Sequence, residues 1–346
     1  LTSMEVTELQ AAHFCFESYN SSCIKEVRST AVYVVMYISA VAVVVLTVCG
    51  NLVVIISISH FKQLHTPTNF LLLSLAVADF LVGLTVMPFR IAVLIETCWY
   101  FGETLCLLYN LFCAVLTLVS IYNVVCIAID RYFAVCDALQ YSNKITVNIA
   151  WSMISLNWFL SLIYILALVY FNGNFSNSQN LFTCFGECSV SIDETSAAVD
   201  LLIVFFVPSS IMITLNLKIF AVARRHAKVI SAVTDQTISM NESKTSTKLS
   251  KKSGTKAAKT LGIVVVVFQL CLSPYYTFTL IYPNVNLSSS TVVINFLVWL
   301  IFFNSSLNPI IYALFYPWFQ KSVKLIVTLR ICKSASSLIN LFPENV

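Results

Sequence analysis

Seven runs of apolar residues, near 32–58, 68–92, 104–129, 146–170, 197–217, 260–282 and 290–315, divide the chain. Each is long enough to cross a bilayer, and none shows the strict alternation of a half-buried strand. The third illustrates the pattern: its 26 residues from Thr104 to Ile129 include no Asp, Glu, Lys, Arg or His. At about 1.5 Å rise per residue they form a helix roughly 39 Å long. Lipid gives the backbone no hydrogen-bond partners, so only helices and closed barrels span it, and runs of this kind predict helices. The expected fold is an all-α membrane protein, a seven-transmembrane helix bundle.

The polar segments between the runs set the orientation. With the N-terminus outside, every one of the 20 Lys and Arg except Lys25, Arg28 and Arg90 falls on the cytoplasmic side. That is the asymmetry the positive-inside rule requires. The acids lean outward, among them Glu17, Glu96, Glu187, Asp193, Glu194 and Asp200. The chain is 58% hydrophobic and 10% charged, against about 25% charged in a soluble domain. A net charge of +4 on so dipolar a chain indicates basic contact with membrane and partners, not with nucleic acid.

Three regions follow: an extracellular N-terminus at 1–31, a bundle at 32–315 with an inner loop at 224–259, and a cytoplasmic tail at 316–346. No cleavable signal peptide is visible, and the first run is expected to serve as a signal anchor. The inner loop holds nine of the 20 basic residues and reads as partly disordered. From Tyr316 to Arg330 the chain reads as a short amphipathic eighth helix, with Phe319, Val323 and Val327 at helical spacing. Cys332 beyond it is a candidate for palmitoylation. Asn20, Asn174 and Asn286 open glycosylation sequons on expected outer segments.

Cys15, Cys23, Cys98, Cys106, Cys184 and Cys188 bear on the outer, oxidising face, which favours pairing. Cys113 and Cys271 lie within helices and read as small buried apolar residues. Asp79 stands in mid-membrane, where a carboxylate is costly, so it is a functional site, a structural hydrogen-bonding node, or both.

Asp130-Arg131-Tyr132 at the end of the third helix and Asn308-Pro309-Ile310-Ile311-Tyr312 in the seventh resemble the rhodopsin-like G-protein-coupled receptors. Asn51, Trp158, Pro208 and Pro274 match that family's most characteristic residues in other helices. The stretch from Asn304 to Phe319 is similar to the trace amine-associated receptors, as are His60 to Asn69, Cys98 to Gly102 and Cys184 to Cys188. The resemblance covers essentially the whole chain.

It implies an amine ligand, and a cationic ligand in a low-dielectric pocket needs a fixed anion. Most amine receptors place that anion on the third helix, at the position of Cys113 here, and a buried thiol will not replace it. Asp200 in the fifth helix is the expected anchor, like the aspartate of a chiefly fish subset of the family. Cys113, Thr117, Tyr275, Tyr276 and Trp299 complete the expected ligand set. Asp193, two turns before Asp200, would meet a second ammonium, favouring diamines or polyamines.

By the same resemblance, Asp79, Ser120, Asn304 and Asn308 form a polar cluster that holds sodium. Asp130, Arg131, Tyr132 and Tyr312 serve coupling to a heterotrimeric G protein, of the stimulatory type that raises cyclic AMP. Cys106 pairs with Cys188, and Cys184 with Cys23 in preference to Cys15. Leu272, Asn216 and Ala138 depart from the family at positions that usually carry Trp, Tyr and Pro, which puts an ordinary activation mechanism in doubt.

A receptor for a non-amine small molecule is the alternative. A light sensor lacks support because Val292 to Leu314 contains no lysine for a retinal Schiff base. A transporter would show inverted repeats, and no matching halves are seen. His13, His60, His65 and His226 all lie outside the helix bundle, so nothing points to an enzyme.

Overall fold

The computed structural model describes residues 13–18, 21–172, 184–188, 192–237, 245–281, 290–332 and 336–341. The sequons at Asn20, Asn174 and Asn286 lie outside them. Seven helices are long and apolar enough to cross a membrane. The first four are Thr30–His60, Pro67–Glu96, Glu103–Cys136 and Val147–Phe171, and the fifth is Glu194–Arg225. The sixth and seventh lie within the helices Thr245–Ile281 and Ser290–Phe315. The second and third spans are the most buried, at 61% and 56%, and the fifth the least, at 22%.

Helix starts follow local chemistry. Thr66 and Thr146 cap the second and fourth spans, each accepting from a backbone N–H three residues on. The second and fifth spans each contain one wide turn, Val82–Val86 and Leu202–Phe206. Met87 and Val207 donate back five residues there, to Val82 and Leu202. Pro88 and Pro208 stand immediately after. A proline lacks the N–H and its ring crowds the carbonyl four residues back, so the ladder relaxes into a wider turn. Each such turn rotates everything beyond it relative to a straight helix.

Lipid tails are as apolar as the side chains, so packing and polar contacts hold the spans together. Asn51 Nδ2 donates to Ser305 O at 3.0 Å, Trp158 Nε1 to Ser74 Oγ at 3.0 Å, and Asn157 Nδ2 to Val119 O at 3.0 Å. Such bonds contribute about 0.6 kcal/mol each on average. Gly50 sits against the seventh span, where a Cβ would lie 2.7 Å from Pro309 Cβ. Any larger residue there would push the first and seventh spans apart.

One end of the bundle is closed by disulfides. Cys106 is bonded to Cys188, Cys23 to Cys184, and Cys15 to Cys98. The last pair ties the N-terminal segment to the turn after the second span. Strands His13–Phe14 and Ile24–Lys25 pair antiparallel, and Ser22 bridges to Phe185. Gly186 has φ 109°, and a Cβ on it would meet Cys15 Cβ at 2.8 Å, so only glycine fits beneath the N-terminal hairpin.

At the other end Pro317–Val327 forms the eighth helix, burying Trp318, Phe319 and Ser322. Val323 is half-buried, and Val327, the last residue of the helix, is exposed. Within the polar 224–259 segment, residues 238–244 lie outside the described ones. Helices continue to Thr237 and resume at Thr245. Elongating a formed helix avoids the nucleation cost, and Ala, Lys and Arg favour it.

Candidate functional site

The disulfide Cys106–Cys188 stands at the mouth of the bundle, and Cys113 lies two turns deeper on the third span. Cys113 is hydrogen-bonded to Thr117 and packs with Tyr109 against Val86, Met87 and Leu116. It offers no anion to a ligand.

Asp200 is half-buried in the fifth span, two residues before the wide turn that starts at Leu202. Its Oδ1 accepts from the hydroxyl of Tyr164 on the fourth span at 3.0 Å. Tyr276 of the sixth span stacks on Phe205 of the fifth with centroids 4.9 Å apart and planes at 20°, and Tyr275 meets Tyr276 edge-on at 5.2 Å. Both tyrosines lie within electrostatic reach of Asp200. The structure therefore brings Asp200, Tyr275, Tyr276 and Cys113 to one region, with Tyr164 as a partner the sequence did not indicate.

Trp299 packs on the cluster of Ala40, Ile91 and Ile95, and its indole Nε1 is buried with no hydrogen-bond partner among the described residues. Asp193 lies at the start of the fifth span. It is the N-cap of the fifth-span helix, accepting from Ser196 N at 3.0 Å and from Ser196 Oγ at 2.7 Å. These bonds hold its carboxyl below the usual carboxylate range, so it is charged at neutral pH.

Deeper in the bundle, Asp79 is fully buried. Oδ2 accepts from Asn308 Nδ2 at 2.7 Å, and Oδ1 from Ser305 at 2.8 Å and Ser120 at 3.3 Å. Asn304 lines the adjacent void of about 20 Å³ with Thr117, Ser120, Ser305 and Leu272. That is room for one water-sized particle. The void's polar lining is Thr117, Ser120, Asn304 and Ser305, and the rest is apolar, Val82, Ile121, Phe268, Leu272, Ile301 and Phe302; Asp79 adjoins it through its bonds to Ser120 and Ser305. Ser305 was missed in the sequence, although it shares a helix face with Asn308 three residues on.

At the far end Arg131 Nε donates to Asp130 Oδ2 at 2.8 Å, and its guanidinium also meets Thr68. Tyr141 donates to Asp130 Oδ1 at 2.8 Å, and Thr68 to Oδ2 at 2.8 Å. Arginine, aspartate, threonine and tyrosine thus form one closed knot. Tyr132 lies apart from it, under Lys218 Nζ at 5.8 Å. Tyr312 is buried against Tyr316 and Phe319. Asn216 turns its amide onto Met212 O at 2.7 Å within its own helix.

Comparison with known proteins agrees with this geometry. Residues 50–312 match the family described as 7 transmembrane receptor (rhodopsin family). Trace amine-associated receptor 13c of Danio rerio is 44% identical over 338 residues, covering 97% of this chain and 98% of that protein. Trace amine-associated receptor 7d of Rattus norvegicus is 40% identical over 347 residues, covering 99% and 96%. Trace amine-associated receptor 7a of Mus musculus is 40% identical over 337 residues, covering 96% and 93%. The chain belongs to the rhodopsin family of seven-transmembrane receptors, and within it to the trace amine-associated receptors.

Proposed function

We propose that this receptor senses amines, with Asp200 as the anchor for the ligand's ammonium. The observation that carries this is the half-buried carboxylate of Asp200, held by a neutral phenol at 3.0 Å and facing an aromatic wall, with a thiol at the usual anchor position. A membrane-embedded acid is costly unless something positive meets it. Tyr275 and Tyr276 add aromatic surface, worth roughly 0.5–2 kcal/mol to a bound cation. The names of the relatives point the same way.

In this reading the receptor sits in the plasma membrane with residues 1–31 extracellular, 32–315 as the bundle and 316–346 cytoplasmic. Asn20 is a glycosylation site. Asp79, Ser120, Asn304 and Asn308, joined by Ser305, hold a sodium ion, which supplies a positive charge that steadies the buried carboxylate. The knot of Asp130, Arg131, Thr68 and Tyr141 opens to a stimulatory G protein, and cyclic AMP rises. Its coupling type rests on the resemblance alone.

The expected preference for diamines or polyamines rests on Asp193 as a second anion. Asp193 accepts two hydrogen bonds from Ser196 at the helix start, and its remaining lone pairs can still meet a second ammonium. Cells carrying the receptor and a cyclic-AMP reporter test the proposal. Primary amines should activate, and the same skeletons with hydroxyl in place of the amino group should not. Equal responses to both would favour the non-amine alternative.

A further inference from the structure

The outer part of the fifth span carries Asp200 on little burial. Its helix Glu194–Leu201 buries no residue, and the wide turn Leu202–Phe206 buries only Val204. Hydrogen bonds from neighbouring spans therefore weigh heavily in where Asp200 faces. Three are in place among the described residues. Asp193 N donates to Oδ1 of Asn172, at the end of the fourth span, at 2.7 Å, and Tyr164 donates to Asp200 itself. The third comes from the third span, where the hydroxyl of Tyr122 donates to Ile203 O at 3.0 Å, inside the wide turn.

The carbonyl of Ile203 is one that the helix cannot satisfy for itself. In a regular turn it would accept from Val207, but that N–H goes to Leu202. In the wide register it would accept from residue 208, which is proline and has no N–H. Within a membrane an unpaired carbonyl is costly, and Tyr122 supplies the missing donor. The third span is among the most buried, so this bond ties the turn to the centre of the bundle. We propose that Tyr122 is a positioning residue for the amine anchor. It fixes the wide turn, and the turn aims Asp200, three residues before the bonded carbonyl, at the ligand. This rests on Asp200 being the anchor and adds a residue that acts on the ligand only through it.

The test uses the full-length receptor in cyclic-AMP reporter cells, with straight-chain primary alkylamines as probes and surface labelling to match expression. Tyr122→Phe removes only the donor and should lower potency by about threefold to tenfold, the scale of one hydrogen bond. In an Asp200→Asn background the same change should add nothing, because the anchor it aims is gone. In Pro208→Ala, which restores an N–H at residue 208, it should likewise add nothing. A residue that merely holds the bundle together would cost surface expression, or would lower potency by the same factor in all three backgrounds. Potency of Tyr122→Phe within about twofold of the parent, below the scale of one hydrogen bond, overturns the proposal. So does an undiminished loss in either second background. Should Tyr122→Phe stay inside the cell, Tyr122→Leu, which also lacks a donor, is read in its place. Potency lost in Asp200→Asn but kept in Tyr122→Phe would leave the amine reading standing and remove this one, whereas full potency in Asp200→Asn would remove both.

Discussion

The hydroxyl of Tyr164 donates to Oδ1 of Asp200 at 3.0 Å, joining the fourth span to the fifth. A neutral donor fixes the carboxylate without neutralising it. A carboxylate has about four lone-pair sites, so one phenol leaves it able to accept an ammonium. The wide turn at Leu202–Phe206 sets the direction in which Asp200 faces.

Tyr164→Phe removes that donor and should weaken amine potency by about fivefold to tenfold, the scale of one hydrogen bond. In an Asp200→Asn background the same change should add little, because the two residues act as a pair. Dose–response curves for the parent, both single variants and the double variant measure the coupling.

The knot at Arg131 predicts a change in resting activity. Tyr141→Phe deletes the donor to Asp130 Oδ1, so ligand-free cyclic AMP should rise at equal surface expression. Burial raises the Tyr141 phenol above its ordinary value, so it stays protonated and donating through the physiological range. The knot should therefore not loosen through Tyr141 as pH rises from 6 to 8, and a resting signal climbing steeply over that range in the parent, but not in Tyr141→Phe, would contradict this.

The buried carboxylate of Asp79, beside a small void that Ser120, Asn304 and Ser305 help to line, predicts sensitivity to sodium. Raising sodium at constant ionic strength should reduce agonist affinity in the parent receptor, and Asp79→Asn should abolish the effect. Ser305→Ala, which removes the 2.8 Å bond to Oδ1, should blunt it. Radioligand competition in sodium and in choline buffers reads both.

A non-reducing peptide map should recover three bridges, Cys106–Cys188, Cys23–Cys184 and Cys15–Cys98. A Cys15–Cys184 or Cys106–Cys184 peptide would contradict the arrangement of the outer end.

The seven spans were legible because lipid imposes one length and one composition, and Glu103 and Asp130 mark the uncharged stretch of the third span on the page. Asp79 and Asp200 were visible for the same reason, as acids where acids are costly. Directions were not. Counting a straight helix back from Pro208 misses the rotation introduced at Leu202–Phe206, so Tyr164 could not be named as the partner. By residue type Asp193 fits both a ligand group and a helix cap. Only the start of the helix at Glu194 shows it to be the cap. Cys15 and Cys98 were seen as candidates, but spacing carries no rule that pairs an N-terminal cysteine with that loop.

Asp200→Asn tests the central claim most directly. It removes one charge, keeps nearly the same shape and still can hydrogen-bond with Tyr164. Receptors matched for surface expression are given a primary amine across a full concentration range. Breaking a buried charge pair should cost about a hundredfold or more in potency. Potency within about threefold of the parent, below the worth of even one hydrogen bond to a charged group, would show that Asp200 is not the anchor.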